Sequence, residues 1–180
     1  MIKTLRFCVN SINRLNEKVG SLLSWCTTLM VAVVCYDVFT RYLLKVSSVA
    51  VQELEWHLFA ILFLLGAAST LKHDRHVRVD IIYMRLSVKQ RAWVNLVGTV
   101  LFLIPFACII IWSSGTFVYN SYSFGESSPN PGGLPARYLL KACIPFGFLL
   151  LLLQAFSLAC SSLITIVEQE KEQERERDNG

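Results

Sequence analysis

Charge is missing from more than half of this chain. Four stretches of its 180 residues, Val19 to Tyr36, Trp56 to Leu71, Ala92 to Gly125 and Ala142 to Val167, contain no Asp, Glu, Lys or Arg. All 17 basic and 13 acidic residues lie in the remainder. Hydrophobic residues make up 54% and charged ones 17%, against roughly 45–50% and about 25% in soluble domains. This partition excludes a soluble single-core domain, a disordered chain and a nucleic-acid binder working through a basic surface.

Other scarcities remove reaction classes. A membrane haem site needs axial ligands projecting into the bundle, and His57 is the one histidine inside an uncharged stretch. A proton-coupled exporter needs a carboxylate at depth, and these stretches hold none. The serines of the fourth stretch have no histidine beside them for intramembrane proteolysis. Six cysteines show no spaced framework and read as small buried hydrophobes. His73, Asp74 and His76 are too weak a set for a metal site. Gly132-Gly133 is not followed by the Lys-Ser/Thr of a phosphate loop. No inverted repeat suggests a substrate path within this chain alone. The reading is of a non-enzyme without cofactor or metal.

What is present is span length. A bilayer core of about 30 Å takes roughly 20 apolar helical residues. The expectation is an all-α, polytopic membrane protein: one domain over 1–180, with spans at about 19–38, 51–71, 92–112 and 142–167 and a charged tail from 168. The first span reads as a retained helix, since no A-x-A-like cleavage site follows it. The third stretch is resolved as one helix from Trp93 to Trp112, with an indole at each interface and Ser113 to Gly125 as an emerging loop. Pro105 is placed to kink it, and Pro145 falls in the first turns of the fourth helix. Lys and Arg number thirteen in the two terminal segments and the middle loop, against four in the other two loops. By the positive-inside rule both termini are expected in the cytoplasm.

Several residues merit attention at the expected outer side. Asp37 precedes Arg41 by four positions, the favoured order for a helical ion pair. Glu53 and Glu55 stand across the same loop, so the four charges either lock the first two helices together or meet another subunit. Ser127 to Pro135, reading SSPNPGGLP, has to be a shaped non-helical loop. Its Pro131, Gly132, Gly133, Leu134 and Pro135 form either a rigid turn into the fourth helix or a docking surface. His57 and Gln154 are candidate interhelical polar groups. Arg75, Arg78 and Arg85, in an amphipathic middle loop, are candidates for the inner headgroup layer, which makes membrane lipid a partner.

In order, DVFTRYLL (Asp37 to Leu44), QELEWH (Gln52 to His57), LGAA (Leu65 to Ala68), HVRVD (His76 to Asp80) and ESSPNPGGLPARYLLK (Glu126 to Lys141) resemble the small, DctQ-like membrane subunit of tripartite ATP-independent periplasmic (TRAP) transporters. The similarity runs from about Val19 to Val167. The QELEWH and NPGGLP runs are similar to the branch labelled for mannitol or chloroaromatic compounds. The resemblance implies an inner-membrane scaffold subunit that braces a large permease subunit and helps form the surface met by a periplasmic solute-binding protein. It also implies import of a carboxylate or related organic solute, usually with sodium. The alternative is a stand-alone four-helix assembly factor or small exporter.

Overall fold

In a computed structural model, which describes residues 2–73 and 85–178, the described residues are helical with short connections and contain no strand. Four helices are long and apolar enough to cross a membrane. They are α1 (Ile2–Leu43), α2 (Val49–Lys72), α3 (Val88–Ser123) and α4 (Arg137–Asp178). At 42 residues each, α1 and α4 measure about 63 Å, roughly twice the hydrocarbon thickness.

Local signals explain where α3 begins and why it changes pitch. Ser87 and Gln90 form a reciprocal capping box: Ser87 Oγ accepts from the Gln90 amide and Gln90 Oε1 from the Ser87 amide. This satisfies two amides that helix geometry leaves unpaired and starts the helix at Val88. Midway, Thr99–Leu103 widens to a π-helical turn, closed by the Ile104 amide on the Thr99 carbonyl. The next residue is Pro105, which lacks an amide hydrogen and whose ring crowds the preceding turn. The wider turn accommodates it without ending the helix. Downstream, α3 does not stop at Trp112, and the expected loop from Ser113 is helical through Ser123. Buried Ser114 and Ser121 and the edge-to-face pair Tyr122–Tyr138 explain the extension, because these residues are absorbed by packing.

α4 is the hub. Half of its apolar window is buried, against 6% in α1, and α1, α2 and α3 all pack on it. Its buried face carries Leu150, Leu151, Ala155, Ser157 and Ala159. With lipid tails outside, hydrophobicity does not drive helices together, and small residues that permit close approach take that role. Gly147 is the tightest case: a Cβ there would lie 2.6 Å from the Leu64 carbonyl oxygen on α2. Gly147→Leu should therefore force α2 and α4 apart and lower the thermal midpoint in detergent, at about 1–3 kcal/mol for overpacking. Gly115→Ala, in a helix interior where its Cβ meets nothing within 4 Å, should hold or raise the midpoint.

Candidate functional site at the loop end

The bundle has two polar ends. At the loop end, where α1 turns into α2 and α3 into α4, the organising group is the Glu53 carboxylate. Glu53 is 4% exposed, and a charge withdrawn from water this far has to be met by donors. Three come from one loop: Ser128 Oγ, Asn130 Nδ2 at 3.3 Å and the Leu134 amide at 2.7 Å. Arg137, the first residue of α4, brings Nη2 to 3.7 Å from Oε1 while its guanidinium lies 5.6 Å from the Trp56 ring centroid.

The loop between Glu126 and Arg137 is closed on itself around that carboxylate. The Arg137 amide donates to the Glu126 carbonyl and the Ser128 amide to the Leu134 carbonyl, at 3.0 and 3.1 Å. A turn from Asn130 to Gly133 sits at its tip, with Gly132 at φ 78°, a conformation that costs little only in glycine. Gly133 is needed for a different reason: a Cβ there would lie 2.8 Å from Glu53 Oε2 and closer still to Ser128. Beside this clamp Glu126 pairs with Lys141, whose ammonium lies 4.0 Å from the Phe117 ring centroid. The Lys141 ammonium holds the Glu126 carboxyl below the usual glutamate range.

The four charges read together in the sequence do not form one set. Asp37, 3% exposed, pairs with Arg41 along α1, whereas Glu53 turns to the loop and to α4. Glu55 joins neither; its Oε1 is shielded and has no hydrogen-bond partner. Pro131 and Gly132 are exposed at the loop tip, Pro135 is exposed where the loop returns, and Leu134 is half-buried beside Glu53. His57, expected to reach another helix, keeps its Nδ1 at the Glu53 carbonyl of its own helix, with its ring against Trp56. Arg85 is exposed just before α3. Arg75 and Arg78 lie outside the described residues.

The second polar end was not anticipated. Asn16 Nδ2 donates to Gln154 Oε1 at 2.7 Å, and Asn13 Oδ1 accepts from Gln154 Nε2 and Ser157 Oγ, both at 3.1 Å. Lys72 closes the layer, donating to the Asn13 carbonyl and pairing with Glu17, both at 3.2 Å. Gln154, central in its uncharged stretch, is thus level with a charged layer. From Glu53 to Lys72 along α2 is about 28 Å, close to the hydrocarbon thickness, so the two layers bracket one membrane's depth. α4 continues for about 21 Å beyond Gln154 to Glu168, which pairs with Arg6, and Glu170 pairs with Lys89 on α3.

This architecture has an uncharged depth between two polar layers and no group of three or more His, Cys, Asp or Glu fit to hold a metal ion among the described residues. Residues 30–164 match the family model for tripartite ATP-independent periplasmic transporters, DctQ component. The chain belongs to that family. It is therefore an inner-membrane subunit of a transporter and not an enzyme. No curated protein and no solved structure matches it. The match includes the Glu53 clamp and Gln154 but not Asn13 or Asn16, so the loop-end construction is the part that lies wholly inside the DctQ segment.

Two outcomes follow. Glu53→Gln removes the charge and leaves one acceptor oxygen where the carboxylate offers two, so the Ser128–Asn130 pair and the Leu134 amide can no longer both be met. Hydrogen exchange across Ser127–Arg137 should then accelerate about tenfold or more while α4 beyond Gly147 is unaffected. The Glu126 carboxyl, lowered by Lys141, stabilises the fold fully above the ordinary value near 4.5, and that contribution is lost as pH falls through the lower folded value. A pH series of thermal midpoints should show this acid-side decline in the parent chain and a smaller one in Glu126→Gln, where Glu53, hydrogen-bonded by Ser128 and the Leu134 amide, still contributes.

Proposed function

We propose that this chain is the small scaffold subunit of a three-part secondary transporter. It works beside a large permease subunit and a periplasmic solute-binding protein, importing a carboxylate or related organic solute with sodium. DctQ-family members work within such complexes. The observation that carries the reading for this chain is where its polar groups are used. Asn13, Asn16, Gln154 and Ser157 are engaged with one another, and the Glu53 carboxylate is occupied by its own loop. A helix bundle that uses these interior polar groups to hold itself together suits a part that stays still while a neighbour moves solute.

The excess of Lys and Arg at the terminal end and middle loop supports cytoplasmic termini, which puts the Glu126–Arg137 loop in the periplasm. There its exposed tip at Asn130, Pro131 and Gly132 is a pre-shaped surface for the solute-binding protein. The QELEWH and ESSPNPGGLP runs favour the mannitol or chloroaromatic branch.

Co-expression with the large permease tests the reading. The two chains should co-purify in mild detergent, and deletion of this subunit should abolish solute uptake by the reconstituted transporter. Recovery of this chain only as a monomer, with uptake intact in its absence, would return it to the stand-alone class. Reporter fusions at residue 180 should register in the cytoplasm.

A further inference from the structure

α1 presents two opposite faces. One carries Asn13, Asn16, Gly20 and Leu23 against α2 and α4, with Gly20 lying beside Ser69 and Leu23 beside Gly66. On the other side of the same helix, a stripe at spacings of three and four reads Arg14, Lys18, Leu22, Trp25 and Leu29. Every member is exposed, and Leu22 and Trp25 are 70% and 76% exposed. Arg14 and Lys18 have no ion-pair or hydrogen-bond partner among the described residues. They line an open groove with Ser11, Leu15 and Glu17, and the one acid there, Glu17, is already paired with Lys72.

We propose that this stripe is a binding site for one anionic phospholipid, with the headgroup phosphate held by Arg14 and Lys18 and an acyl chain lying along Leu22, Trp25 and Leu29. The depth fits. Arg14 and Lys18 flank Glu17 in the charged layer that Lys72 closes, and the uncharged run begins at Val19, so the charges are at headgroup level and the apolar residues in the hydrocarbon. The charge fits as well: two unpaired cations one turn apart complement a single phosphate. A protein partner is disfavoured by composition, since helices meet closely through small residues. α1 places Gly20 on its packed face and no Gly or Ala from Arg14 to Leu29 on the stripe. The proposal does not rest on the transport reading, because lipid selectivity is a property of the chain itself.

The test uses the full-length chain with Trp56, Trp93 and Trp112 replaced by Phe, leaving Trp25 as reporter, in vesicles containing lipids brominated on the acyl chain. Brominated phosphatidylglycerol should quench Trp25 more strongly than brominated phosphatidylcholine at equal mole fraction. Arg14→Gln and Lys18→Gln should each reduce that preference about fivefold, while Arg14→Lys and Lys18→Arg should preserve it. Equal quenching by the two lipids, or a preference unmoved by the glutamine variants, would overturn the proposal. So would loss of quenching by both lipids on adding the large permease, which would assign the stripe to that subunit.

Discussion

The Glu53 carboxylate, withdrawn from water at the end of α2, is the constraint on which the loop end depends. An ion in that position is tolerated only when donors surround it, and three of its four partners come from a segment 75 to 81 residues away in the chain. Meeting that requirement gives an otherwise open loop a single shape. It leaves no room for a side chain at Gly133 and fixes the start of α4 by bringing Arg137 toward the same oxygen and against Trp56. A connection rich in proline and glycine thereby becomes a rigid cap that ties α2 to α4 outside the hydrocarbon.

Between the caps the packing logic is that of a membrane. α4 supplies the shared surface, and the other helices meet it through small residues and through the Asn13, Asn16, Gln154 and Ser157 network. Its three hydrogen bonds join α1 to α4 and hold the two helices in one register, with Asn16 Oδ1 left unpaired. The spacing of the two polar layers matches a bilayer's hydrocarbon, while α1, α3 and α4 continue past the second layer and pair their charges at Arg6–Glu168 and Lys89–Glu170. The terminal end is thus a helical extension with its own ion pairs, which stiffens the bundle beyond the membrane.

The four uncharged runs were sufficient to place four membrane-capable helices in an all-helical chain, because the hydrocarbon penalty on charge acts on residue type alone. Register was harder. The two indoles at Trp93 and Trp112 suggested a span between interfaces, yet Glu126–Lys141 and Tyr122–Tyr138 set α3 in register with α4 and carry the helix to Ser123. Gln154 stood out in the sequence, but its partners did not, since Asn13 and Asn16 lie in a basic segment that reads as a solvated terminus. The capping box at Ser87 and Gln90 is present in the sequence as a Ser-x-x-Gln spacing, with Ser87 five residues before the uncharged run that marks the third span. Glu53 was singled out for charge, but its true role required knowing that the proline-rich loop folds back over α2, a long-range contact that no local pattern encodes.

The proposed role depends on a loop-end surface held in shape by the buried Glu53 carboxylate. Its most direct test is site-specific photo-crosslinking from position 131 in the assembled transporter. Adducts with the soluble solute-binding protein are expected when Glu53 is present and should be lost in Glu53→Gln, with the membrane complex still intact. Adducts that persist undiminished in Glu53→Gln, or that never include the binding protein, would contradict it.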